Sequence, residues 1–432
     1  MRISYCVRLL TCTAGKQIET TPLPEWHSGS ALSETVETGF ITLLRNTQYD
    51  MSTLTKQTLA DAPAETVPKN DDRPRLFLAG VGSVGGTLLR QLQALPDAQT
   101  APRVIGACTE RRAAWYGAPR APVEVDETFP GGVPTDWPRL LEHLEKAAAN
   151  TEAPFVFVDA TDSVEVARYH ARLLEAGCSV VTPSKHALTQ EQAYFDRLQR
   201  AAGNQTGRDD GHGAGTGTYH YETTAGAGLP VVRTLRDLLR TGDRIECLRG
   251  AASGTLSFLF SRLREGDPFS TAVEDAIARG YAEPDVRTDL SGEDVARKFL
   301  ILGRTMGLRL ERDDLTVESL VPEALRDVSL ENFLTGLPEY DDEWAERTRA
   351  ARSKGATLQY VGRLSDGRIR VAVEEVPSSA PFGLLSSTDN LFEFQTARYH
   401  EDAPLSVRGP GAGPQVTAAG VLADVLAAVR DA

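Results

Sequence analysis

Arg75-Leu76-Phe77-Leu78-Ala79-Gly80-Val81-Gly82-Ser83-Val84-Gly85 joins a short apolar run to a G-x-G-x-x-G string, and an amphipathic stretch continues to Leu95. Placed directly after a strand and opening a helix, the string reads as a dinucleotide fingerprint. Gly80 permits the tight turn, Gly82 lets the backbone approach a pyrophosphate, and Gly85 lets helix and strand pack closely. The helix that opens at Ser83 and Val84 adds oriented N–H groups and the positive end of its dipole. Taken without that context, the string would mark only a tight strand-to-helix turn.

Outward from this stretch the rhythm persists. RVIGAC (103–108), FVFVDAT (155–161) and CSVVTP (178–183) read as strands, with helices around 136–148, over 164–176 and over 189–201. Strands alternating with helices of this length predict a Rossmann-type, doubly wound parallel α/β sheet, because each crossover packs a helix back onto the sheet. The stretch after Cys108 reads as a polar loop, and the glycine-rich segment 203–218 as a surface insertion. Beyond it, YHYETTAG (219–226), RIECLRGAA (244–252), TLQYVGRL, RIRVAVEEV and LFEFQTARYH supply strands. Helices are expected over 229–241, 254–265, 269–279, 292–306 and 416–429, so the second half is mixed α+β. Residues 1–72 are rich in Thr and Ser and end in the linker-like APAETVPKNDDRP, the pattern of a flexible extension. Arg8 interrupts the opening apolar run, which is too short for a signal peptide. The change in composition makes Met51 a candidate start.

Composition narrows the function classes. The chain has 432 residues, 41% hydrophobic and 25% charged, which is ordinary globular usage. Its net charge of −14 argues against nucleic-acid binding and leaves room for a local cationic pocket. No apolar run approaches the roughly 18 residues of a membrane span. Cys6, Cys12, Cys108, Cys178 and Cys247 lack C-x-x-C spacing and read as free thiols of a reducing, cytoplasmic compartment. No H-E-x-x-H or Cys/His cluster suggests zinc.

At the tip of the second strand, Thr109-Glu110-Arg111-Arg112 offers two readings: Glu110 on the ribose of NAD, or Arg111 and Arg112 on the 2′-phosphate of NADP. The adjacent arginines favour NADP, with NAD as the alternative. In the second half, Asp294 and Lys298 stand at i and i+4 on one helical face. Lys185 lies just beyond the carboxyl end of a parallel strand, the edge at which open α/β sheets bind ligands.

Seven stretches in order resemble the homoserine dehydrogenase family, particularly the dehydrogenase half of the bifunctional aspartokinase–homoserine dehydrogenases. They are AGVGSVGGTLLRQL, VDATDS, VVTPSKHALT, YETTAGAGLPVVRTLRDLLRTGD, SGTLSFLF, GYAEPDVRTDLSGEDVARKFLILGR and RGPGAGPQVTAAGVLADVL, spanning about residues 73 to 430. The resemblance implies reversible NAD(P)-dependent reduction of L-aspartate 4-semialdehyde to L-homoserine, in the biosynthesis of threonine, methionine and isoleucine. A related oxidoreductase acting on another amino-acid aldehyde is the alternative. It implies Lys298 and Lys185 as acid–base lysines and Asp294 as the acid that holds them. Glu283 and Asp289 match substrate-binding carboxylates, with Tyr281, Thr255 and Gly254 in the same pocket. Thr161 and Asp162 lie near the nicotinamide with Lys185, and Gly411 and Gly413 match a glycine loop that returns to the cofactor. Glu222 with the carbonyls of Ala225, Ala227 and Leu229 matches a monovalent, sodium-type cation site. The implied organisation is a dinucleotide-binding domain (73–220, completed by 405–432) and a substrate-binding and dimerisation domain (221–404), in a homo-oligomer, dimer or tetramer.

The chain also departs from the family pattern. Ser184-Lys185-His186 stands where N-K-K is common, and Thr288 where an acid is frequent. The stretch before Arg73 is too short for an aspartokinase, and little follows the last helix, so a monofunctional enzyme without threonine feedback through a C-terminal module is expected.

Overall fold

A computed structural model defines the protein over residues 73–96, 101–116, 132–203 and 217–431. The expected N-terminal extension, and all but the ends of the expected insertion at 203–218, lie outside these described residues.

Two sheets organise the chain. The first contains β1 (Arg75–Ala79), β2 (Arg103–Cys108), β3 (Arg112–Trp115), β4 (Val133–Pro134), β5 (Phe155–Asp159), β6 (Ser179–Val181) and β7 (Tyr219–His220). Their spatial order is β4-β3-β2-β1-β5-β6-β7. β2, β1, β5, β6 and β7 run parallel, as the alternating pattern predicts. Because β1 has β2 on one side and β5 on the other, the order reverses there, and the crevice outside the ends of β1 and β5 is where such sheets bind ligands.

β3 and β4 run antiparallel at the edge, so the stretch read as a polar loop carries two short strands. The Thr109 N–H donates to the Arg112 carbonyl (2.8 Å), closing a turn that sends Ala113-Ala114-Trp115 back along β2. The small Ala113 and Ala114, between Arg112 and Trp115, mask the alternation there. The expected helix over 164–176 is two, α3 (Val164–Ala167) and α4 (His170–Glu175), which follow α1 (Ser83–Gln93) and α2 (Trp137–Ala149). The next helix, α5, spans Gln192–Ala201, because residues from Lys185 onward form a turn on the Lys185 carbonyl.

Side-chain alternation buries both faces of the sheet. Leu76, Leu78, Val156, Val158 and Val181 face one way, under α1 and the C-terminal helix. Phe77, Phe155 and Phe157 face the other, under α2 and α4. Burying a Leu, Val or Phe contributes about 1.5–3 kcal/mol each.

The second half begins with α6 (Thr223–Gly226), α7 (Val231–Arg240), α8 (Gly254–Glu265), α9 (Phe269–Ala278), α10 (Arg287–Leu290) and α11 (Glu293–Thr305). Then come α12 (Leu330–Gly336), α13 (Asp341–Ser353) and α14 (Pro414–Asp431). Its sheet contains β8 (Ile245–Ala251), β9 (Thr316–Val317), β10 (Ala356–Ser365), β11 (Arg368–Pro377), β12 (Asp389–Thr396) and β13 (Leu405–Pro410), in the order β13-β12-β8-β10-β11-β9. α8, α11 and α13 pack on β10. α12, α13 and β13 had no counterpart in the sequence reading; seven of the thirteen residues of α13 are charged, and it buries only Trp344 and Ala351. Among the described residues no helix is long and apolar enough to cross a membrane.

Candidate active site

The fingerprint forms a cradle of bare backbone. Gly80 sits at φ +89°, a conformation that favours glycine, and a Cβ there would lie 2.6 Å from the Ala160 carbonyl oxygen. A Cβ on Gly85 would meet the Gly80 carbonyl oxygen at 2.0 Å, whereas one on Gly82 would meet nothing within 4 Å. The first and third glycines thus let the chain approach itself, and the second faces open space. Gly82 is also the N-cap of α1 and offers no side-chain cap, so the helix's first N–H groups are left for a ligand.

In front of the cradle lies a cleft of about 1070 Å3, bounded by Gly80–Gly82, Thr109–Arg112, Trp137, Thr161–Ser163, Glu165 and Val166. These residues fit a dinucleotide, with backbone donors on one side and the cations Arg111 and Arg112 on another. Arg111 lines the cleft, while the Arg112 guanidinium also donates to the Gly132 carbonyl. Thr161 is fixed by the buried Asp159, whose Oδ1 accepts from the Thr161 N–H (2.9 Å) and hydroxyl (2.6 Å). Asp159 Oδ2 meets His170 Nε2 (2.9 Å), and His170 Nδ1 meets the Tyr219 hydroxyl (3.0 Å). Gly411 and Gly413 are not among the cleft-lining residues. Gly411 is packed against the Asn390 amide, so close that a Cβ would collide with it at 2.0 Å, and Gly413 (φ +118°) opens α14.

The second centre is made of side chains. α11 is preceded by its N-cap Gly292, where φ is +77° and an added Cβ would lie 2.0 Å from the Tyr360 hydroxyl, so no side chain fits. Tyr360 is itself held by donation to the Glu318 carbonyl (2.6 Å). Asp294 lies in the first turn, where the dipole favours an anion. Its Oδ2 meets Lys298 Nζ at 2.7 Å and its Oδ1 meets Lys185 Nζ at 3.2 Å. Lys298, only 11% exposed, also donates to the Ala252 carbonyl at the end of β8 (2.7 Å). Desolvation pushes the Asp294 carboxyl up, but Lys298 and then Lys185 outweigh it and hold the group well below the usual carboxylate range.

One residue past Ala252, Ser253 caps α8, which carries Gly254 and Thr255. The Thr255 hydroxyl shares its one proton between the Tyr281 carbonyl (2.6 Å) and Asp289 Oδ1 (3.0 Å), and the Glu283 N–H donates to Asp289 Oδ2 (2.8 Å). Burial raises the Asp289 carboxyl, opposed by these hydrogen bonds. The structure therefore brings Thr255, Tyr281, Glu283 and Asp289 together. Glu283 and Tyr281 stand exposed at the rim, and the Tyr281 ring meets Phe258 edge-on at 5.1 Å. The two centres are linked by His186, whose Nε2 lies 2.7 Å from Oδ1 of the cleft residue Asp162. The histidine of Ser184-Lys185-His186 thus anchors the lysine loop to the cleft.

At the expected cation loop, the Glu222 carboxylate is already engaged. Oε1 accepts from Val232 N–H (2.7 Å) and Oε2 from Arg233 N–H (2.8 Å), capping the start of α7. Each carboxylate oxygen retains a second lone pair beside the main-chain oxygens of the loop. Ala227, a non-glycine at φ +51°, shapes the loop carrying the Ala225, Ala227 and Leu229 carbonyls. The Glu222 N–H donates to buried Asp424 (2.9 Å). No group of three or more acidic, His or Cys side chains forms a metal cage among the described residues.

Sequence reasoning missed Asp159, His170, Thr182 and Ala252. Asp159 carried a weak signal, as a charge ending an apolar strand; the Ala252 carbonyl carried none.

A family model for homoserine dehydrogenase matches residues 230–426, and one for the homoserine dehydrogenase NAD binding domain matches residues 80–209. The homoserine dehydrogenase of Schizosaccharomyces pombe is 34% identical over 363 residues, covering 81% of this chain and 93% of that protein. The chain belongs to the homoserine dehydrogenase family. The Saccharomyces cerevisiae homoserine dehydrogenase is 33% identical over 357 residues, covering 80% of this chain and 95% of that one. A bifunctional aspartokinase/homoserine dehydrogenase of Haemophilus influenzae is 37% identical over 366 residues; these cover 81% of this chain but 42% of that longer relative. Among solved structures, a Candida auris protein of unknown function superposes with a TM-score of 0.74 at 31% identity, covering 83% of this chain and 98% of that one. A hyperthermophilic archaeal homoserine dehydrogenase in complex with NADPH shares the fold, with a TM-score of 0.61 at 20% identity over 83% of this chain and 98% of that one.

Proposed function

We propose that the chain interconverts L-aspartate 4-semialdehyde and L-homoserine with NAD(P)(H), as a homoserine dehydrogenase. The observation that carries the reading is the single carboxylate, Asp294, joined to two ammonium groups, one from its own helix and one from the loop after β6. A bound nicotinamide supplies the hydride that reduces the aldehyde carbon. At the oxygen, which becomes an alkoxide, an ammonium donates a hydrogen bond and then its proton. Such general acid assistance is worth about 10²–10⁴ in rate. Asp294 stays ionised and keeps both lysines aimed. Lys298, fixed at Asp294 and Ala252, is the acid of this pair, and Lys185 orients the oxygen from the cofactor side. The carboxylates of Asp289 and Glu283 complement the substrate's α-ammonium, with Thr255, Gly254 and Tyr281 forming the wall.

The cradle of Gly80, Gly82, Ser83, Val84 and Gly85 receives the pyrophosphate, and Arg111 with Arg112 favours NADP over NAD. Thr161 and Asp162 border the nicotinamide end, and the Gly411–Gly413 loop closes from the α14 side. A monovalent cation such as sodium would sit on the main-chain oxygens of Glu222, Ala225, Ala227 and Leu229 and hold that loop. The same reading places residues 73–220 with 405–432 as the cofactor domain and 221–404 as the substrate and dimerisation domain of a cytoplasmic homo-oligomer.

Steady-state assays with homoserine and NADP or NAD, each with and without sodium or potassium, test the reading. NADP-preferring turnover is expected. No homoserine oxidation with either cofactor, alongside oxidation of another amino-acid alcohol, would replace it.

A further inference from the structure

Arg304 ends α11, the helix that carries Asp294 and Lys298, and its side chain is fully buried. All five of its N–H groups are used. Nε donates to the Leu310 carbonyl (3.0 Å), and Nη1 to the carbonyls of Leu188 (2.8 Å) and Gln190 (2.7 Å). Nη2 donates to the Leu310 carbonyl (2.8 Å) and Glu311 Oε2 (3.1 Å). Leu188 and Gln190 belong to the loop that follows Lys185. The Leu188 and Thr189 N–H groups donate to the Lys185 carbonyl (3.0 and 3.1 Å), so two hydrogen bonds in series connect Arg304 to the Lys185 backbone. On the other side, the Ser184 N–H donates to the Thr182 hydroxyl (2.9 Å), which donates to the Asp159 carbonyl (2.9 Å). Glu311 reinforces the join by accepting the Gln192 N–H (2.9 Å).

We propose that Arg304 is a positioning residue of the reaction, fixing the Lys185 loop of the first sheet to the Asp294–Lys298 helix of the second. The inference rests on the function proposed above. A lysine stem has four rotatable carbons, so its ammonium is placed only as well as its backbone. Lys185 reaches Asp294 by the longer of the two contacts and comes from the other sheet, so it depends most on this tether. A planar fork that holds three carbonyl oxygens defines a position; an ammonium with three freely rotating donors does not.

A double-mutant cycle separates this role from plain structural support. Arg304→Lys lowers kcat about tenfold or more while leaving the cofactor KM within about twofold, since a misplacement of about 1 Å costs up to roughly 10²-fold. In a Lys185→Ala background the same change lowers kcat less than about twofold, because the group it positions is gone. In the cofactor-free protein, Arg304→Lys speeds hydrogen exchange at the Leu188 and Thr189 amides. Equal losses of kcat in both backgrounds, or unchanged exchange at those amides, overturn the proposal. Should Arg304→Lys not fold, Glu311→Ala carries the same cycle with a smaller effect, and the same two results overturn the proposal. Full turnover by Lys185→Ala alone would refute the functional reading instead, and the exchange measurement would still decide whether Arg304 holds the loop.

Discussion

The cofactor cleft and the lysine centre solve recognition in opposite ways. The cleft is backbone: three glycines within six residues, a helix N-terminus, and a second glycine facing open space. The lysine centre is side chain: Asp294 and Lys298 from one helix, Lys185 from a loop on another sheet, and a carbonyl from β8. A backbone site is local in sequence and tolerates almost no added atom. A side-chain site is assembled from distance and depends both on the groups that meet there and on those that hold them in place. Substitutions in the first should act on cofactor binding or folding, and substitutions in the second on turnover.

Lys298→Ala gives the largest effect and tests that division most directly. kcat for homoserine oxidation should fall by about 10²–10⁴ with the cofactor KM unchanged within about threefold. A rise in the cofactor KM equal to the loss of kcat would break the division. The glycine pair sharpens it. Gly85→Ala forces a Cβ to 2.0 Å from a carbonyl oxygen and should cost about 1–3 kcal/mol of stability, read by denaturant unfolding. Gly82→Ala meets no protein atom, so the melting temperature should stay within about 2 °C while the cofactor KM rises about tenfold. Equal melting shifts in the two variants would show that the open space at Gly82 is not reserved for a ligand.

Arg111→Ala comes next. It should weaken NADP binding by about tenfold and leave NAD binding unchanged, because a 2′-phosphate contact is worth on the order of one charge-assisted hydrogen bond. Similar losses with both cofactors would move Arg111 from the ribose phosphate to the pyrophosphate.

The smallest effect concerns Asp424, which lies in neither centre. Burial, with the Glu222 charge adding to it, pushes its carboxyl up to about 7 against the pull of the Glu222 N–H. Below about pH 4 the group is protonated in both folded and unfolded chains; between there and pH 7 only the unfolded chain releases the proton. Its contribution to stability is therefore complete at low pH and lost as pH rises toward 7. Asp424→Asn keeps an oxygen to accept from Glu222 and should raise the unfolding free energy at pH 8 by roughly 1–3 kcal/mol, with no gain near pH 4. A gain of equal size at both pH values would assign the effect to packing.

The same division explains what could be read in the sequence. The parallel sheet and its glycine turn follow from short-range patterns, since each strand and each glycine is interpretable with its neighbours. The i and i+4 spacing put Asp294 and Lys298 on one face, but nothing local placed Lys185 beside them; that came only through the family resemblance. The chain from Asp159 through His170 to Tyr219, the Ala252 carbonyl under Lys298, and the Arg304 fork were not legible, because each joins residues whose separation along the chain carries no period. β3 escaped detection for a different reason: Ala113 and Ala114 are too small to show alternation. The contact of the Glu222 carboxylate with two N–H groups of a helix start was not legible either, because Val232 and Arg233 lie ten and eleven residues further on.

The helix that closes the molecule has a bearing on its birth. Leu78, Val156 and Val158 are covered on one face by Val421 and Val425 of α14, yet the whole second sheet is translated before that helix emerges. While the ribosome works through the intervening stretch, an oily sheet face waits in water, the kind of surface that chaperones grip and that aggregates when they do not. The nucleotide fold starts before the second sheet and is finished after it, so a nascent chain stopped short of Pro414 would hold a complete fingerprint on an unfinished sheet.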